Sequence, residues 1–498
     1  MKQPIFFLML CIATLLSQLG NAQEISCNML KLPFAQMVDE SNSIAYAEVT
    51  AAQSFWNEKH SMIYTHYTLN VIQSLKSDLP QTVTLVVEGG RATGIQIDYQ
   101  DRIELLVGAQ IVVMLERIPK YWDCGTLPSN SYSAYASKQG LFVVDPVTLE
   151  THDPFKRFSS LSELFDAVKE EVGKQAQLPQ AKNVPAAEGV SSIAVLASFS
   201  PTTITAGTGS VLTISGSGFG ATRGNGFVEF SIVDGTFAQP LAKDYITWTD
   251  TQIQLYVPSL TLFNGAVKET AATGPIRVTP DGGTAVASPT SLNIKYSMFN
   301  RYNSQQDSAV TFRLINADLQ GGYTLKYNDQ FSTLGAGAQA SLERALSTWK
   351  CATQVNFKIS SSTTSIRAVA IDNTSVITDD VQAPLPVGIL GRGVSITGLC
   401  VNGPLVKALT VEMDIIIDAT PGLTWNFSTS APSFTQYDFE TVLLHEFGHV
   451  HQLAHTASGS TNIMAPTVSS GVMNRSLQPF DLEGGLDVMA RAQTPVGC

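Results

Sequence analysis

Charge and histidine are both scarce in this chain. Only 14 % of its 498 residues are Asp, Glu, Lys or Arg, the net charge is −12, and no block of basic residues interrupts that balance. A surface this acidic repels phosphate, which argues against a nucleic-acid or anionic-membrane partner. Long apolar runs are missing after the first 22 residues, so no later stretch reads as a transmembrane segment. Cysteine numbers six. Histidine numbers seven, and four of these fall between residues 445 and 455, in "HEFGHVHQLAH".

What the chain does have is apolar content, 44 %, enough for several domains with their own cores. Its first residues place Lys2 ahead of an apolar run from Ile5 to Leu16 and end in the small-residue pattern Gly20, Asn21, Ala22. This reads as a signal peptide cut after Ala22, and hence as a secreted, extracellular protein. The context of Cys27, "EIS", lacks the leucine-led box of a lipoprotein signal. In an oxidising compartment the remaining thiols can pair. Cys27, Cys124, Cys351, Cys400 and Cys498 are left after cleavage, an odd number. The expectation is a Cys27–Cys124 bridge stapling the amino-terminal domain and a Cys351–Cys400 bridge, leaving Cys498 unpaired.

The rest divides into three regions. Residues 23–172 read as an all-β domain: "SIAYAEV", "IYTHYTLNVI", "TVTLVVEG" and "IVVML" alternate between apolar and polar positions and are separated by turns. The domain closes with a helix that has Leu161, Leu164, Phe165, Val168 and Val172 on one face and a Ser160/Glu163 capping box. His60, His66 and His152 fall here in unrelated contexts, as strand or surface residues. Residues 173–192, rich in Ala, Gln and Pro, form a linker. Residues 193–294 show short strands and turns in quick succession, the pattern of a β-sandwich. There Pro201, Gly207, Gly216, Gly218, Phe219, Gly220, Trp248 and Pro258 resemble the TIG (IPT) immunoglobulin-like domain. That resemblance implies a spacer or a module for a surface or carbohydrate partner. A second linker covers 295–303, and residues 304–498 mix strands such as "VEMDIIID" with helices, an α+β pattern.

The chemistry gathers on one of those helices, "DFETVLLHEFGHVHQL", with Asp438 as its cap. His445 and His449 are four apart, so their imidazoles leave the same helical face and can share one ion. A catalytic Zn²⁺ needs three protein ligands and an open fourth place for water. His455 supplies the third if the chain leaves the helix near Gln452 and turns back. Glu446, beside His445, is placed to take a proton from the metal's water as general base. His451, about 200° round the helix from His449, is expected to face solvent.

This motif, followed by "NIMAP", resembles a metzincin zinc metallopeptidase and is most similar to its matrixin-like bacterial members, over residues 304–498. The resemblance implies that His445, His449 and His455 bind zinc, that Glu446 is the base, that Met464 is the Met-turn residue under the ligands, and that Pro466 shapes the adjoining pocket wall. One departure stands out: the family has glycine where this chain has Gln452, and a left-handed turn there costs a non-glycine residue about 1 kcal/mol. The resemblance leaves room for Ca²⁺, for which Asp372, Asp379, Asp380, Asp414 and Asp418 offer oxygens without a defined loop spacing. Cys124, in "WDCGTLP", lacks the arginine and aspartate of the family's latency switch.

Two functions follow as expectations. The first is a secreted zinc endopeptidase acting on a protein or peptide substrate. The second is a non-catalytic adhesin or binding protein with a metallopeptidase-like fold, for which Glu446 between two ligands has no use.

Overall fold

The computed structural model describes residues 29–145, 148–173, 194–303, 306–320, 322–402, 405–456, 462–466 and 468–492, without the side chains of residues 399–402 and 405–407. The expected signal peptide and residues 174–192 of the first linker lie outside that set.

The first region contains strands β1 (Ser43–Trp56), β2 (Ile63–Lys76), β3 (Thr82–Glu88), β4 (Gly90–Ala92), β5 (Ile95–Asp98), β6 (Gln110–Arg117) and β7 (Ser131–Ala134). β1 pairs with β2, β2 with β3, β3 with β7, β7 with β6, and β6 again with β1, so this sheet closes on itself and leaves those strands little free edge. The period of two decides what goes inside. Ala45, Ala47 and Val49 of β1, Val83 and Leu85 of β3, and Ile111, Val113 and Leu115 of β6 fill the interior. The alternate residues Ile44, Tyr46, Val112 and Met114 face outward under the helix Leu161–Val172, whose Leu161, Leu164, Phe165 and Val168 cover them. That helix is capped as expected by Ser160 Oγ, which accepts from the Glu163 amide at 3.1 Å. The Glu163 carboxylate reaches one residue further back, to the Ser159 amide at 2.8 Å.

The second region is a sandwich. A four-stranded sheet (Val195–Ser200, Val211–Ser217, Gln252–Tyr256 and Tyr245–Trp248) faces a six-stranded one that includes Phe227–Ile232 and Ala271–Thr279. Leu212, Ile214, Phe230, Ile253, Leu255 and Val278 interdigitate between them. Trp248 donates its indole N–H to the Phe219 carbonyl at 3.0 Å. At Gly216 any Cβ would strike the Val195 carbonyl and the Phe219 ring, so the close strand approach requires glycine.

In the third region a mixed sheet runs in the order Phe357–Ile359, Tyr323–Tyr327, Val376–Asp379, Leu405–Ile417, Gly391–Asn402. The first four strands are mutually parallel, while Gly391–Asn402 is antiparallel to its neighbour. Helices Ala338–Thr353 and Phe439–Val450 pack together, and Trp349 donates its indole N–H to the Leu444 carbonyl at 2.8 Å. Every residue of Phe439–Val450 is buried.

The regions are not beads on a string. Gly391–Asn402 would be an open sheet edge, but β5 of the first region pairs with it antiparallel, Ile97 opposite Ile396, and β4 follows β5. The expected 295–303 linker is likewise built into the fold: Asn293–Ser297 is a sandwich strand, Met298 bridges Leu453, and Arg301–Asn303 pairs with Ser308–Val310. Among the described residues no helix is long and apolar enough to cross a membrane.

The histidine-bearing helix begins at Asp438, whose carboxylate accepts from the Thr441 amide at 3.1 Å and pairs with Arg475 Nε at 2.9 Å. Asp438→Ala removes a helix cap and one partner of a buried ion pair. It is expected to destabilise this region by about 2–4 kcal/mol, read as a lower midpoint in denaturant. Asp438→Asn, which keeps the cap, should recover part of that loss.

Candidate metal centre

The helix Phe439–Val450 holds His445 and His449 on its inner face, and a turn at Gln452 brings His455 back to them. Gln452 adopts φ +70, a left-handed conformation. Its amide donates to the His449 carbonyl at 2.8 Å, its carbonyl accepts from Phe299 at 2.8 Å, and its side chain donates to Thr410 Oγ1 at 3.2 Å. These bonds offset the backbone strain.

The three histidines converge. Nε2 of His455 lies 3.2 Å from Nε2 of His445 and 3.2 Å from Nε2 of His449. Ligand nitrogens at 2.0–2.1 Å from a tetrahedral Zn²⁺ stand about 3.3 Å apart, so these nitrogens fit that ion. They form the one group of three or more His, Cys, Asp or Glu side chains, among the described residues, able to hold a metal. Each remaining ring nitrogen has an acceptor. His445 Nδ1 meets the Ile463 carbonyl at 2.7 Å, His449 Nδ1 meets Leu453 at 2.8 Å, and His455 Nδ1 meets Glu269 Oε2 at 2.9 Å. Donation through Nδ1 sets the tautomer that leaves Nε2 free to ligate.

Electrostatics favour the neutral form of His445 and His449. Burial and then the two neighbouring rings push His445 well below its ordinary value; burial first, then His455, pushes His449 down to about 3. Glu446 is fully buried, and one oxygen accepts from the Gly393 amide at 2.8 Å while Oε1 has no partner in the protein. Burial pushes its carboxyl up to about 8, with Asp101 adding to the rise. An unpartnered buried oxygen on the residue next to His445 suits a polar third party such as a water on a bound cation.

Met464 lies beneath the helix. At Gly448 a Cβ would collide with the Met464 sulfur, so the "HEFGH" glycine is required by close approach. Asp481 fixes that turn by accepting from the Ile463 amide at 3.0 Å. Pro466 walls a cavity of about 380 Å³ that also touches His455, Asp101, Lys138, Lys268 and Glu269.

One expectation is corrected. His451 is fully buried rather than exposed, edge-on to Trp349 at 5.1 Å and Phe357 at 6.0 Å, because both faces of this helix are covered. Burial pushes it down to about 3. Of the aspartates considered for calcium, Asp414 accepts from the Val376 amide at 2.9 Å and Asp380 from the Ala419 amide at 2.7 Å. Cys124 is a buried free thiol in a cluster with Tyr64, Tyr99, Val394 and Ile396, and Cys351 is an exposed free thiol. Cys27, Cys498 and the Cys400 side chain lie outside the described residues. The sequence reading missed Glu269 and Gly393, both remote from the motif.

The buried rings give a pH signature. Unfolded chain takes up protons below the ordinary histidine value of 6.5, whereas His449 and His451 in the fold do so only near 3. Stability present above pH ~6.5 is therefore lost as pH falls from there toward 3. Added zinc should move this acid transition to lower pH, as measured by unfolding midpoints from neutral to acid pH. Identical profiles with and without zinc would count against a metal centre.

Comparison with curated proteins finds no match for the chain. Residues 194–296 match the IPT/TIG domain family, so the middle region is an IPT/TIG immunoglobulin-like domain.

Proposed function

We propose that the carboxy-terminal region is a metzincin-type, matrixin-like zinc endopeptidase, exported by its amino-terminal segment. The observation that carries this reading is the pairing of three converging imidazoles with a buried glutamate whose Oε1 is unpartnered. His445, His449 and His455 would hold the ion. Bound there, zinc would acidify a water and polarise the scissile carbonyl. Glu446 would take the proton at Oε1 and pass it to the leaving amine, while the Gly393 amide holds Oε2 and so fixes the carboxylate plane. Pro466 and the cavity beside His455 suit the substrate side chain that follows the scissile bond.

One observation favours a binding protein instead: His445, Glu446, His449 and His455 are all at most 3 % exposed. Segments from outside the region also dock on the strand next to Glu446. β5 pairs along Ser395–Gly398, Met29 bridges Ile389, and Asp101 grips Arg392 at 2.6 and 2.9 Å. An extended peptide could use the same edge strand once β5 leaves it. This reading therefore makes the intact chain a closed peptidase.

Two measurements test it. Glu446→Gln should retain zinc yet lower casein or gelatin hydrolysis by roughly 10²–10⁴-fold; undiminished cleavage would remove Glu446 from the mechanism. Ile97→Asp, which places a charge against Val394 and Ile396, should loosen β5 and raise hydrolysis by the full-length chain. Unchanged or lower activity would reject the closed-site account.

A further inference from the structure

We propose that Glu269 of the IPT/TIG domain is a positioning residue of the metal centre, so that this domain completes the site rather than merely spacing it. The inference rests on the zinc reading above and adds to it a ligand-orienting group from a different region.

Two of the three rings are oriented by their own region, through backbone carbonyls at Ile463 and Leu453. His455 differs. Its Nδ1 faces a carboxylate, Glu269 Oε2 at 2.9 Å, from the turn between strands Ala266–Lys268 and Ala271–Thr279. A carboxylate acceptor fixes the tautomer, holds the ring plane and makes Nε2 a stronger donor to a cation.

The surrounding bonds hold this turn against the His455 segment. The Glu269 carbonyl accepts from Thr261 Oγ1 at 2.7 Å, and Thr270 Oγ1 meets Ser297 Oγ at 2.5 Å. Ser297 in turn accepts from the Ala454 amide at 2.9 Å, and Phe299 donates to the Gln452 carbonyl at 2.8 Å. The strand leaving the IPT/TIG domain thus pairs with the residues immediately before His455. Lys138 of the first region approaches the other Glu269 oxygen at 3.5 Å. Position and orientation of the third ligand both depend on a neighbour outside residues 304–498.

The test uses full-length protein and Zn²⁺ itself, with affinity read by competition against a chromophoric chelator. Glu269→Ala is expected to weaken zinc binding by about 10–100-fold while still taking up one ion at saturation. Glu269→Gln, which retains an acceptor oxygen and the shape, should lose much less. In a His455→Ala background Glu269→Ala should have no further effect, because its action passes through that ring. Unchanged affinity in Glu269→Ala, or an equal loss in the His455→Ala background, would overturn the inference and leave the zinc site standing. Failure of the unaltered chain to take up zinc would overturn both.

Discussion

Three imidazoles buried together cannot all carry protons, and the surrounding fold aims them at one point. Burying a charged ring without compensation costs several kcal/mol, so the site favours the form with a free nitrogen lone pair. A lone pair pointing inward is useful only if the opposite nitrogen is satisfied. Ile463, Leu453 and Glu269 meet that need for His445, His449 and His455. The first two acceptors come from backbone that must pass close by anyway, since Ile463 precedes the methionine packed under Gly448 and Leu453 follows the turn. The third reaches across from another region. Packing of the IPT/TIG domain against the carboxy-terminal region and the orientation of His455 are therefore one constraint.

Most of the site was legible in the sequence because its key residues are local. The separation of four between His445 and His449 is a statement about one helix, and Glu446 comes with it. The return of His455 depended on a turn expected near Gln452, and that residue is left-handed. Reading a helix by one face misplaced His451. Its rotation away from the ligands is right, but the far side is occupied by Trp349 and Phe357 instead of water. The alternation of apolar residues revealed the first region's strands, whereas the closure of β1 onto β6 is a long-range pairing that no local period encodes. Glu269, Gly393 and the docking of β5 were unreadable for the same reason: each acts on a partner more than fifty residues away.

Gln452 shows how such long-range contacts absorb a local fault. A glycine would adopt its conformation without strain, yet would lose the side-chain bond to Thr410. The strain of about 1 kcal/mol is comparable to a single net hydrogen bond. Its carbonyl also anchors Phe299, just beyond the IPT/TIG domain. Gln452 thus stands where the turn to His455 is tied to the neighbouring region.

The edge strand Gly391–Asn402 carries an opposing demand. Its inner half must approach Glu446 closely, and at Gly393 a Cβ would crowd the Glu446 carbonyl, so the strand cannot be shielded by bulky side chains there. Left bare, it would present unpaired backbone groups. β5 satisfies them, Ile97 and Tyr99 add apolar contact with Val394 and Ile396, and the Asp101–Arg392 pair lies buried beside them. Separating such a buried pair costs about 3–5 kcal/mol if its charges find no new partner. At 1.4 kcal/mol per tenfold, that alone would hold the open form to roughly one molecule in 10²–10⁴. The interaction that protects the edge is therefore one that any other chain pairing with this strand would have to displace.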